Sequence, residues 1–121
     1  MTTPRPRPAI GPPYVPGHAR AARLVVFRDG VVHRAVELTP RGLTIGRGLQ
    51  NELVLEDADR TVSRFHAEVR LEAGRWVLLD LNSQNGTWVD ARRVDRVELR
   101  SGVPVIIGRY SLVFDDTPLS A

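Results

Sequence analysis

An all-β sandwich or barrel is the fold this sequence predicts, and three observations carry it. From Arg23 onward, short β-branched and aromatic runs recur every eight to twelve residues with turn signals between them. No stretch repeats apolar residues at helical spacing for three turns, so almost no helix is expected. A chain of 121 residues can build one core but not two.

The elements follow in order. The runs "RLVVFR" and "VVHRAVEL" flank Asp29-Gly30, the strongest short hairpin signal. Next come "LTIG", "ELVL", then "FHAEVRL" with Phe65, Ala67, Val69 and Leu71 on one face, and "RWVLLDL". "TWV", a short "RRVDRVEL", "PVIIG" and "YSLVF" complete the set. The expected domain covers 23–115. Residues 1–22 hold six of the nine prolines and no apolar periodicity, which predicts a disordered Pro/Arg-rich tail, and 116–121 read as a second, frayed tail.

Composition excludes several classes. Without cysteine there are no disulfides or thiolate sites, and the reducing cytoplasm is the expected location. No apolar run approaches the roughly 20 residues of a membrane span, and no signal-peptide segment is evident, so membrane insertion is not expected. The pI of about 10.5 invites a nucleic-acid reading. Four of the 17 arginines, however, stand in 1–23 with no acid among them, which leaves 13 against 14 acids from Leu24 onward. The folded part is not basic, and four tail charges give little salt-dependent affinity for RNA or acidic lipid. His18 and His33 have no ligand-spaced companions, and Asp57 and Asp59 lack the glycine and terminal glutamate of a calcium loop, so neither metal nor cofactor is expected.

The unusual residues fall in three loops: "GRGLQN" after Ile45, "EDADRTVSR" after Leu55 and "NSQNG" after Leu81. Polar loops on a rigid β scaffold are where binding sites lie. Gly46-Arg47, Ser63-Arg64-Phe65-His66 and Asn82-Ser83-Gln84-Asn85-Gly86-Thr87, in this order on an all-β pattern, resemble the forkhead-associated (FHA) domain family of phosphothreonine-peptide readers. The resemblance covers about Leu24 to Phe114. It implies a sandwich of about eleven mostly antiparallel strands with binding loops at one end.

It also implies roles. Arg47 corresponds to the phosphate-binding arginine, whose planar guanidinium can donate two parallel N–H groups to a dianion. Ser63 corresponds to a hydroxyl donor to the phosphate, beside the backbone N–H of Arg64. Asn85 corresponds to a clamp on the ligand main chain, since a carboxamide both donates and accepts. His66 corresponds to a brace between loops, and Gly46 and Gly86 to positions where a missing Cβ permits tight backbone. Gln84 stands where many members have a threonine whose hydroxyl can donate to the phosphate, and as a phosphate- or peptide-binding residue it would donate through its amide instead; Asp90-Ala91 stands where many have Asn-Gly. Arg60 and Thr61 are the candidates for reading ligand residues after the phosphothreonine.

Taken singly, Asn85-Gly86 is a hairpin turn, Arg47 a solvated arginine and Ser63 a loop serine. Catalysis is not expected: Ser63 and His66 stand three apart with no nucleophile elbow. The expected function is therefore phosphothreonine-dependent protein binding in signalling, with a Ser/Thr kinase or its substrate as partner. The alternative is a phosphate-independent scaffold that uses another face of the same fold. Thr2 and Thr3, on a tail of about 20 residues that reaches some 60 Å when extended, could once phosphorylated occupy the domain's own pocket.

Overall fold

The computed structural model describes residues 20–118, and the expectations for the N-terminal tail up to residue 19 lie outside it. Eleven strands form two sheets, and no helix occurs among the described residues. In chain order they are β1 Arg20–Arg28, β2 Val31–Glu37, β3 Leu43–Gly46, β4 Leu53–Val54, β5 Ala67–Glu72, β6 Arg75–Asp80, β7 Thr87–Val89, β8 Arg92–Val94, β9 Arg96–Glu98, β10 Pro104–Ile107 and β11 Tyr110–Pro118. One sheet runs β2-β1-β11-β10-β7-β8 and the other β4-β3-β5-β6-β9. All pairings are antiparallel except β3 with β4.

Alternation fills the core. Leu24, Val26, Leu112, Phe114, Val105 and Ile107 point inward from the first sheet. Leu43, Ile45, Leu53, Ala67, Val69 and Leu78 meet them from the second. Leu55 and Val62, both in the long segment between β4 and β5, are also fully buried and anchor that segment to the interior.

Four boundaries differ from expectation. β1 starts at Arg20 and β11 reaches Pro118, paired Arg20↔Pro118, because a backbone ladder needs no apolar side chain to continue. Residues 20–22 and 116–118 therefore belong to strands rather than tails. "RRVDRVEL" is two strands in different sheets, parted at Asp95, whose carbonyl accepts from the Asp80 N–H at 2.9 Å. "ELVL" keeps only Leu53–Val54 as strand. Finally, β5 begins at Ala67, so Phe65 is not in its buried row but 48% exposed. His66 takes the interior place instead, with its N–H bonded to the Ile45 carbonyl at 2.8 Å.

Three hairpins close through two-residue turns with both central residues at positive φ: Asp29-Gly30, Ala73-Gly74 and Asp90-Ala91. Such turns match the right-handed twist of the strands they join. Ala91 sits at φ 64 without the freedom glycine has there, and an L-residue in this region costs roughly 1–2 kcal/mol. Ala91→Gly is therefore expected to raise the unfolding free energy by about 0.5–1 kcal/mol after its own unfolded-state entropy is deducted, measurable by urea denaturation. An unchanged or lower midpoint would refute it.

Candidate functional site

The loops between β3 and β4 (47–52), β4 and β5 (55–66), and β6 and β7 (81–86) meet at one end of the sandwich, and hydrogen bonds define how. The N–H groups of Arg47 and Gly48 donate to the carbonyls of Ser63 and Arg64, each at 3.0 Å. Arg47 Nε donates to the Val62 carbonyl at 3.0 Å. Asn51, 5% exposed, uses Nδ2 to bind both the Gly48 carbonyl at 2.8 Å and the Arg64 carbonyl at 2.7 Å. The first two loops are thus stitched backbone to backbone. Gly46 is obligatory at this seam, since a Cβ there would lie 2.2 Å from the Arg64 carbonyl oxygen.

His66 joins the second loop to the third. Its ring is fully buried; Nδ1 accepts the Ser63 backbone N–H at 3.0 Å, and Nε2 stands 2.9 Å from the Gly86 carbonyl. Because Nδ1 is an acceptor, the tautomer is fixed with the proton on Nε2, which donates to Gly86. Burial is the largest influence and lowers the imidazole pKa below its ordinary 6.5, aided by the Arg93 charge and opposed by the Gly86 bond and Asp80. The ring meets the Ser63 main chain and not its Oγ, so this is not a nucleophile–base pair.

Two carboxylates shape the loops from within. Asp57 accepts from Thr61 Oγ1 at 2.8 Å, from the Val62 N–H at 2.6 Å and from the Asp59 N–H at 3.2 Å. Asp80 accepts from the Ser83 N–H at 2.9 Å, Ser83 Oγ at 2.6 Å and Thr87 Oγ1 at 2.7 Å. In both, desolvation acts to raise the pKa but the donated hydrogen bonds outweigh it and hold the carboxyl below its ordinary value. Neither aspartate, nor Asn51, was singled out for the site by sequence. The available signal was an acid followed within three to five residues by Ser or Thr, an Asx-type loop pattern.

Several donors at this seam remain without a partner among the described residues. With Nε committed to Val62, both Nη groups of Arg47 remain without a partner among the described residues. Ser63 Oγ accepts the Gln84 backbone N–H at 3.0 Å, which leaves its own proton available. The Arg64 N–H makes no bond among the described residues. Asn85 is exposed and donates one amide hydrogen to the Thr61 carbonyl at 3.1 Å, with Oδ1 still open. Gln84 is exposed and its carboxamide has no partner among the described residues. Gly86 turns at φ 92, and a Cβ there would meet Arg93 Nε at 2.7 Å. The two candidate ligand readers differ: Thr61 is tied to Asp57, whereas Arg60 is exposed and its guanidinium has no partner among the described residues.

The FHA domain model matches residues 43–108. The chain belongs to the FHA family. A regulator of glycogen accumulation, GarA from Mycolicibacterium smegmatis, is 44% identical over 100 residues, 83% of this chain and 62% of its own length. This chain thus spans about three fifths of such relatives. The solved FhaA FHA domain, complexed with the intracellular domain of Rv3910, has a TM-score of 0.69 at 32% identity and covers 78% of this chain and 100% of that one. An FHA structure analysed for phosphothreonine-dependent interactions has a TM-score of 0.68 at 31% identity, covering 80% and 99%. The chain thus belongs to a family with members whose interactions depend on phosphothreonine. No described helix is long and apolar enough to cross a membrane.

Two outcomes follow. His66 must gain a proton to unfold at mildly acid pH, because its folded pKa lies below the unfolded 6.5. Its stabilising contribution is complete above that value and declines as pH falls through it, whereas those of Asp57 and Asp80 persist until pH falls below the ordinary 3.8. Stability measured by denaturant from pH 7.5 to 5 should fall, and a flat profile would refute the neutral buried ring. Asn51→Asp sets an acceptor against two carbonyls and is expected to cost about 2–4 kcal/mol. Unchanged stability would show that the two Nδ2 bonds do not hold the loops.

Proposed function

We propose that Arg47, Ser63 and Arg64 bind the phosphate of a phosphothreonine, with Asn85 and Gln84 holding the ligand main chain beside it. The observation that carries this reading is the set of donors left outward at one seam: two Nη groups, one hydroxyl proton and one backbone N–H. A tetrahedral dianion accepts from several directions at once, and a neutral threonine cannot. Each charge-assisted bond contributes roughly 1.5–3 kcal/mol, so two or three separate phosphorylated from unphosphorylated ligand.

His66, Gly46 and Gly86 serve this pocket without touching ligand: the imidazole sets the spacing of Ser63 from Asn85, and the glycines let the backbones approach. Arg60, beside the Thr61 carbonyl that Asn85 holds, is the side chain positioned to read ligand residues beyond the phosphothreonine. The partner is a phosphorylated protein, a Ser/Thr kinase or its substrate, and the chain acts on it by recruitment. The regulator name of its relative and the complex of the FhaA domain with an intracellular protein domain support a module that works by binding.

Affinity for a phosphothreonine peptide should be micromolar, about −7 to −9 kcal/mol, because a few polar contacts carry it. Calorimetric titration of a phosphothreonine peptide panel against wild type, Arg47→Ala and Arg47→Lys tests the assignment. Arg47→Ala should abolish measurable binding, and Arg47→Lys should lose most of it since a point charge cannot replace the fork. Equal binding by wild type and Arg47→Ala would sink the reading.

A further inference from the structure

The two sheets present unlike faces to solvent. Outward from the five-stranded sheet stand three ion pairs, Arg70–Glu68, Arg75–Glu98 and Arg96–Glu72. This is the polar exterior a solvated antiparallel sheet normally carries. The six-stranded sheet does not match it.

Its registers align Val32, Phe27, Ser111, Ile106 and Trp88 in one row across five strands. The adjacent row holds Ala35, Val25, Val113 and Pro104. These rows face outward, because their neighbours along the strands, Leu24, Val26 and Leu112, are fully buried on the core side. Val32 is 61% and Trp88 36% exposed, and Phe27, Val25, Val113 and Ile106 are half-buried. At about 4.8 Å per strand the rows extend about 19 Å, and two rows about 7 Å apart cover on the order of 300 Å². A contiguous apolar patch of this size is comparable to the largest that an ordinary monomer exposes, and such patches are often functional.

Its position says what it contacts. In the first row Trp88 lies between Ile106 and Arg93 of β8, and its indole N–H donates to the Asn85 carbonyl at 3.0 Å. The patch therefore begins where the proposed ligand loop ends, and the two surfaces are continuous. A flat face several strands wide suits a folded surface better than one extended chain. Arg93 at the β8 end of the first row and the bordering set Glu37, Arg23 and Asp115 are its charges, of mixed sign, unlike the one-sign surface that nucleic acid or acidic lipid needs. The patch is also well below the roughly 800 Å² per partner of a stable complex, so it adds to an anchor rather than holding a partner alone.

We infer that the outer face of the six-stranded sheet receives an apolar surface of the same folded phosphoprotein whose phosphothreonine enters the loops. This rests on the proposed function and extends it: the phosphate decides whether the partner binds, and the sheet face helps decide which partner. Tethering by the phosphothreonine converts the second contact into an intramolecular one, so a weak apolar contact still raises affinity.

The test uses the partner that wild-type protein recovers from its source cells and loses after phosphatase treatment. That protein, purified phosphorylated and folded, and a synthetic peptide of its phosphothreonine segment are titrated separately. The folded protein should bind at least about tenfold tighter than the peptide. The double variant Val32→Lys/Val113→Lys should erase that excess while leaving peptide affinity unchanged, which also shows the variant to be folded. Equal affinities of folded protein and peptide, or an excess that survives in the variant, would overturn the inference. So would concentration-dependent dimerisation in sedimentation that Val113→Lys abolishes, which assigns the face to a second copy. A gain in folded-partner affinity on deleting residues 1–19 would assign it to that segment instead. Failure of wild type to bind the peptide would count against the proposed function, a separate result.

Discussion

One uncharged ring sets the geometry on which the site depends. His66 accepts from the Ser63 N–H on one side and donates to the Gly86 carbonyl on the other, at 3.0 and 2.9 Å. The neutral imidazole does both across its own width, leaving neither a charge nor an unpaired ring nitrogen in a fully buried place. The two loops that hold Ser63 and Asn85 are therefore held at a spacing fixed by the width of an imidazole. Everything outward of it, including the Ser63 hydroxyl's bond from the Gln84 N–H, inherits that spacing.

The same economy governs the other seam. Arg47 gives its Nε to Val62 and keeps both Nη groups outward. That bond fixes the guanidinium plane before any ligand arrives, so less side-chain freedom remains to be lost on binding. Asn51 secures the carbonyls of Gly48 and Arg64 from beneath. Its own Oδ1 is the one buried side-chain polar atom among the described residues without a partner. The arrangement accepts that cost, of order 1–3 kcal/mol, in the loop pair that carries Arg47, Ser63 and Arg64.

How much of this was legible in the sequence depends on the range of the interaction. Alternation and Asp-Gly located the first hairpin, and strand periodicity located most of the sandwich, because both are local properties. The three loop signatures pointed to Arg47, Ser63 and Asn85, whose loops the fold brings together at one end of the sandwich. Phe65 was misplaced because alternation alone cannot tell that a histidine with two internal partners outcompetes a phenylalanine for the interior. Asn51, Asp57 and Asp80 were invisible as site residues because their roles consist of bonds to backbone groups of loops whose meeting is a tertiary fact. The split of "RRVDRVEL" between sheets is of the same kind: Asp95 marks it only through its carbonyl bond to Asp80.

A neutral brace raises the question of why an ion pair is not used, since a carboxylate lies close. Asp80 Oδ1 is 3.8 Å from His66 Nε2, beyond hydrogen-bond reach, and its oxygens are already occupied by Ser83 and Thr87. Direct pairing would favour the imidazolium, and a protonated Nδ1 could no longer accept the Ser63 N–H. The loop would lose the bond that orients it. A buried cation beneath the loops would also attract any anion by charge alone, whereas the hydrogen-bond donors of the proposed site would discriminate by direction. Keeping Asp80 turned toward its own loop thus preserves the uncharged ring, and with it a site whose selectivity rests on geometry more than on field strength.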